Sequence, residues 1–139
     1  MWTRSHVVIT KEVTKEQMWK LFSDVNNWQT WDESIEFAHL DGKFEQGNFF
    51  VFQPKGGPKI KLKILEAIEN YKFVDLTTFP FAKMYGDHTF EETPEGLKLT
   101  TTMIVEGFLG FLWKKLVAQK IVDDLPKDMA IQIKAASKL

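Results

Sequence analysis

The sequence predicts an α+β fold: a curved antiparallel seven-stranded sheet wrapped around a long C-terminal helix, with two short helices after the first strand. Three observations carry this expectation. From about Leu109 to Ala136, apolar residues recur at helical spacing (Leu109, Leu112, Leu116, Ile121, Leu125, Met129, Ile133), and Lys114, Lys120, Asp124, Lys127 and Lys134 mostly decorate the rest. From Ser34 to Val105 the period changes to two. The turns within that stretch are too short for parallel crossovers, so neighbouring strands are antiparallel. At ~1.5 Å per residue the final helix is roughly 40 Å long. With no second long helix to pack on, it must bury its stripe against the sheet.

Each element has its own local reason. Residues 3–10 read as a first strand, though with poor alternation. Thr14 and Gln17 have the spacing of a capping box, and Val13 with Met18 that of a hydrophobic staple, so a helix starts there. Its apolar residues Met18, Leu21, Phe22 and Val25 share one face. Asn26 and Asn27 interrupt it, and a short second helix places Trp28 and Trp31 on one side. Six strands follow at 34–40, 48–54, 59–67, 72–79, 83–92 and 97–105, punctuated by turn residues such as Asp41-Gly42 and Gly56-Gly57-Pro58. The alternation breaks near Ile64-Leu65, which marks a bulge or bend. Gly107 and Gly110 let the backbone turn closely under the sheet. Pro126 removes one backbone bond near Val122, so a kink is expected there.

Two hairpins can be set in register. A loop at 93–96 puts Glu91 opposite Lys98 and Lys83 opposite Glu106, two opposite-charge pairs on the outer face. The inner face then carries Met84, Gly86, His88 and Phe90 across from Val105, Met103, Thr101 and Leu99. An even-length loop at 55–58 sets Phe49, Val51 and Gln53 opposite Ile64, Leu62 and Ile60 on the same inner face. Lys59, Lys61 and Lys63 then take solvent. Phe50 and Phe52 point outward, where they would need a cover or a partner.

Composition excludes several functions. At 139 residues the chain is expected to form one domain with a real core. Eighteen basic residues against nineteen acidic ones leave a net charge of −1, so no bulk field draws nucleic acid or an anionic membrane. Without cysteine there is no disulfide, thiol catalysis or thiolate metal site. His6, His39 and His88 form no ligand-spaced pair, so neither a metal nor another cofactor is expected. Glu91-Glu92 and Asp123-Asp124 are sequence neighbours that do not converge on one substrate. Gly56-Gly57 joins two strands instead of opening a helix, which makes it a hairpin turn and not a phosphate loop. The stretch MWTRSHVVIT has no apolar run of signal-peptide length and no segment reaches ~20 apolar residues. A cytoplasmic protein without membrane insertion is therefore expected.

Twelve Phe and five Trp raise the aromatic content to 14%. They furnish either a packed core or the walls of a pocket for a flat or greasy ligand. The candidate pocket residues are Trp31, Phe49, Val51, Gln53, Met84, His88, Phe90, Thr101 and Met103, closed from the helix side by Phe108, Phe111 and Leu112. His88 is the best single candidate for chemistry, as a ligand contact or a proton carrier near neutral pH. It can equally be a buried polar group satisfied by Thr101 across the ladder. Trp28 and Trp31 either shape a pocket mouth or pack the short helices onto the sheet. Asp32 reads as a cap or an acceptor for a nearby donor. For an enzyme, only His88, Thr101, Gln53 and Tyr85 stand out, and no catalytic set is evident.

The order of strand, two helices, six strands and long final helix is that of the helix-grip fold. The stretches LFSDVNNWQTWDESIEFAHLDGKFEQGNFF (21–50), GDHTFEETPEGLKLTTTMIVEGFLG (86–110) and the C-terminal LPKDMAIQIKAASKL resemble the bacterial polyketide cyclase/dehydrase branch of the START-like (SRPBCC) superfamily. Asp24-Val25 with Trp28 and Trp31, Gly47, Gly96 and Gly107 carry the resemblance, and none is a catalytic signature. The resemblance implies a lipid, quinone or polyketide-like ligand held between sheet and final helix. It leaves open a cyclase or dehydratase acting on such a ligand. A protein-interaction module, with Phe50 and Phe52 as its adhesive surface, is the third reading.

Overall fold

A single antiparallel sheet dominates the computed structural model, which describes residues 1–139. Its strands are β1 (Trp2–Thr10), β2 (Ile35–Leu40), β3 (Phe49–Pro54), β4 (Ile60–Ile68), β5 (Lys72–Phe79), β6 (Ala82–Thr93) and β7 (Gly96–Glu106). They lie in the order β1-β7-β6-β5-β4-β3-β2, so the first strand closes on the last and consecutive hairpins fill the rest. Between β1 and β2 come α1 (Lys15–Ser23), a 3₁₀ turn (Val25–Asn27) and α2 (Trp28–Trp31). The C-terminal helix runs from α3 (Gly110–Trp113) through a π turn (Lys114–Ala118) into α4 (Gln119–Ala136). This is the helix-grip architecture.

Local chemistry explains the entry of the chain into its first helix. Thr14 Oγ1 accepts from the Gln17 backbone N–H at 3.1 Å, and the Gln17 side chain accepts from the Thr14 N–H at 2.9 Å. That reciprocal pair satisfies two otherwise orphaned donors. Val13, Met18, Leu21, Phe22 and Val25 are all buried in the main core. Asn26 then ties the helical segment to β2: its side-chain oxygen accepts from the Leu40 N–H at 2.8 Å, and its amide donates back to the Leu40 carbonyl at 3.3 Å.

The β6–β7 ladder has the expected register, with Lys83 opposite Glu106, His88 opposite Thr101 and Glu91 opposite Lys98. The register shift in β4 falls between Ile64 and Glu66, where the alternation breaks.

The β3–β4 ladder differs by one residue. Phe50 pairs with Leu62 and Phe52 with Ile60, so Phe50 and Phe52 face inward while Phe49, Val51 and Gln53 lie on the outer face. The connection between Phe52 and Ile60 holds an odd number of residues, and a one-residue slip inverts every side chain of a strand. Core burial decides the outcome: Phe50 is 2% exposed, whereas Phe49 is 46% exposed with the Lys61 ammonium 4.6 Å from its ring centre. The slip also removes the adhesive surface that an outward Phe50 and Phe52 would have formed.

The final helix buries a different stripe at its start. Gly110, Ala118, Leu125, Met129, Ile133 and Ala136 are its buried residues. Phe108, Phe111, Leu112 and Leu116 are exposed, with Phe108 at 84% and Leu116 at 62%. The sequence contains the cause: Leu109, Leu112 and Leu116 keep helical spacing, but Ile121 follows Leu116 at i+5, so the two sets cannot share one face. The π turn lies across this phase break. Pro126 sits inside α4, while the irregular turn of the helix lies upstream of it.

Candidate binding cavity

The inner faces of β3 to β7 diverge from the helix enough to leave a cavity of about 250 Å³. Its apolar walls include Phe50, Phe52, Ile60, Leu62, Phe73, Met84 and Met103 from the sheet. Val117, Ile121 and Leu125 face it from the helix, and Trp28, Trp31 and Ile35 from the α2–β2 segment. Trp28 is fixed by donating its indole N–H to the Phe22 carbonyl at 3.2 Å, and its ring meets Phe50 edge-on at 5.4 Å.

The expected pocket residues separate into two groups. Trp31, Met84, His88, Thr101 and Met103 line the cavity. Phe90 faces inward and is buried, but it borders an adjoining crevice with Met18, Phe22 and Leu99. Phe49, Val51 and Gln53 are turned to the outer face by the β3–β4 slip, and the Gln53 amide donates to the Gly57 carbonyl at 3.1 Å. Phe108, Phe111 and Leu112 are exposed and lie outside the cavity, ahead of the π turn. Tyr85 also leaves the site: its hydroxyl donates to Glu106 at 2.8 Å, and this bond raises its pKa.

His88 stands in a polar array spanning three strands. The Asp75 carboxylate lies 3.4 Å from its Nε2, and Thr101 Oγ1 lies 3.5 Å from its Nδ1. Both contacts are long and would tighten with a small movement. Phe73 stacks on the imidazole at 4.1 Å between ring centres, with Phe22 at 5.8 Å, so the ring is held from its faces and its edges. This carboxylate–imidazole–hydroxyl arrangement can accept a hydrogen bond from a ligand or carry a proton.

Five polar residues of the cavity, Ser34, Asp75, Thr77, Asp128 and Gln132, escaped sequence reasoning. Asp75 and Thr77 alternate with Phe73 on β5, and a register for the β5–β6 hairpin would have placed Asp75 beside His88. Asp128, on α4, lines the opposite wall. Burial first, then Asp32 and Asp124, raises its carboxyl pKa to about 6, with Lys127 and Lys120 opposing. Asp32 was visible as an acceptor: its Oδ1 takes hydrogen bonds from the Ser34 N–H at 2.9 Å and the Ser34 hydroxyl at 2.7 Å. No group of acidic or histidine side chains is arranged to hold a metal ion, and no helix is long and apolar enough to cross a membrane.

The fold recurs among solved structures. A hypothetical protein from Helicobacter pylori superposes with a TM-score of 0.75 at 11% identity, over 97% of this chain and 88% of that one. A START superfamily protein from Mycobacterium smegmatis gives 0.70 at 17% identity, over 95% and 97% of the respective chains. The di-domain ARO/CYC StfQ from the steffimycin biosynthetic pathway gives 0.69 at 12% identity, covering 98% of this chain and 49% of its own. At these identities the likeness establishes the shared fold. No match was found among curated proteins. Residues 3–131 match the family described as polyketide cyclase / dehydrase and lipid transport, and with that span the chain belongs to this family.

Proposed function

We propose that the protein binds a small apolar or aromatic molecule, of lipid, quinone or polyketide-like character, between the sheet and the C-terminal helix. One observation carries this reading: an apolar-walled cavity of about 250 Å³ persists beside a well-packed core. A core that only needed stability would fill such a space, because each empty volume forfeits packing. Apolar walls with a few convergent polar groups are the usual form of a small-molecule site. The burial of a bicyclic aromatic there supports roughly micromolar affinity, about −8 kcal/mol. Titrating apolar aromatic and acyl compounds while following tryptophan fluorescence tests this, since Trp28 and Trp31 line the site. Saturable quenching or enhancement is expected. No response across a broad panel contradicts it.

A second reading, a cyclase or dehydratase acting on the bound molecule, rests on the Asp75–His88–Thr101 array. Proton transfer by His88 with Asp75 as its orienting partner is the step such an enzyme would use. Under that reading His88→Gln abolishes turnover of a polyketide-like substrate while binding persists. Equal turnover by His88→Gln and the parent excludes it.

A further inference from the structure

The charged groups facing the cavity are unbalanced. Asp32, Asp75, Asp128 and His88 line it, and no lysine or arginine does. His88 lies 3.4 Å from Asp75, an ion pair only when the imidazole is protonated, and Asp32 and Asp128 have no such partner. Neither takes part in an ion pair. Asp32 is 7% exposed, and while its Oδ1 is occupied by Ser34, its Oδ2 accepts no hydrogen bond. Asp128 is partly buried and makes no hydrogen bond at all. The two carboxylates line the same cavity from two elements that pack on each other, Asp32 at the end of α2 and Asp128 on α4.

Thr77 gives an independent sign that a polar ligand group belongs here. It is 3% exposed, lines the same cavity from β5, and its hydroxyl has no hydrogen-bond partner. Its oxygen is not sealed off from the cavity, so it is open to a polar group that enters there. Trp31, immediately before Asp32, lines the same cavity and adds an aromatic ring of the kind that attracts cations.

We infer that the molecule bound in this cavity carries a protonated amine on an apolar or aromatic body, with the ammonium held between Asp32 and Asp128. This rests on the cavity being a ligand site and narrows the class of ligand. An ammonium donates up to three hydrogen bonds, enough to engage both carboxylates with one donor to spare. Charge-assisted bonds in a partly desolvated site are the strong ones. A carboxylic acid of the same shape would bring a further negative charge into a cavity already lined by three carboxylates and no lysine or arginine, and be rejected. The pocket thus selects by charge as well as by shape.

The test uses three isosteric probes at neutral pH: naphthylmethylamine, naphthylmethanol and naphthoate, each titrated by calorimetry into the full chain. The amine is expected to bind at least about tenfold tighter than the alcohol, with naphthoate weakest. Asp32→Asn and Asp128→Asn should each remove most of the amine's advantage while leaving alcohol binding within about twofold, and thermal melts verify that both variants are folded. Asp123→Asn, an exposed carboxylate of the same helix that does not line the cavity, should leave the preference for the amine in place. If the alcohol binds as tightly as the amine, or if neither Asn variant changes the ratio, the inference is overturned and the cavity remains a site for neutral ligands. If none of the three binds, the cavity reading fails and the inference falls with it.

Discussion

Asp75 sits directly across the β5–β6 ladder from Gly86, and the missing side chain of Gly86 is what admits its carboxylate. A Cβ at position 86 would lie 2.9 Å from both carboxylate oxygens. The glycine therefore has a steric role: it lets an acidic group lie over the sheet and reach His88 from the neighbouring strand.

Gly86→Ala should accordingly destabilise the protein by about 1–3 kcal/mol, although alanine is otherwise the better strand residue. In the Asp75→Ala background the same change should be much less harmful. Urea denaturation of the four proteins measures the coupling, expected at about 1 kcal/mol or more. Additive effects would mean that the two side chains do not compete for this space.

The inverted faces of β3 give a second contrast. Phe50→Ala should cost about 3–5 kcal/mol, because a nearly inaccessible ring is lost from the core. Phe49→Ala should cost under about 1 kcal/mol, since only a lysine-covered surface contact disappears. The opposite ranking in denaturant melts would restore the register in which Phe49 faces inward.

Why one hairpin was legible and the other was not comes down to what distinguishes their two faces. Around Pro94 only one register sets both Glu91 opposite Lys98 and Lys83 opposite Glu106, and the structure has that register. Along β3 both alternating sets are apolar, Phe49 with Val51 and Phe50 with Phe52, and periodicity cannot choose between them. The choice is made by tertiary burial, which takes Phe50 into the core and leaves Phe49 on the surface. The same ambiguity decides the site: Met84, His88, Thr101 and Met103 follow from the legible hairpin, while Phe49, Val51 and Gln53 came from the other. Asp128 lay beyond reach because its proximity to the cavity depends on the phase of a helix interrupted by a π turn.

That helix phase has its own test. A single continuous stripe would bury Leu112, Leu116 and Ile121 under the sheet, and Leu116→Asp would then cost several kcal/mol. With Leu116 exposed, Leu116→Asp should change stability by no more than about 0.5 kcal/mol. Leu125→Asp, at a buried position of α4, should cost several kcal/mol. Chemical denaturation of both variants separates the two phases.

Asp128 links stability to pH. Burial and the nearby Asp32 and Asp124 raise its carboxyl from the ordinary 3.8 to about 6, against the weaker pull of Lys127 and Lys120. Asp75 and His88 also line the cavity that it faces. The folded state thus holds this proton more tightly than the unfolded chain. Its stabilising contribution is complete below about pH 4 and is lost as pH rises through about 6. Asp128→Asn, which cannot ionise, should melt at a higher temperature than the parent at neutral pH and lose that advantage by about pH 4. A constant difference across this range would contradict the assignment.

Methyl NMR on the methionines tests ligand binding in the cavity most directly. Met84 and Met103 line the cavity, whereas Met1 is 93% exposed and remote from the core. Adding an aromatic ligand should shift the Met84 and Met103 methyl signals saturably through ring currents and leave Met1 unmoved. Ligand-induced shifts that bypass Met84 and Met103, or none across a broad apolar panel, would contradict a binding site between the sheet and the helix.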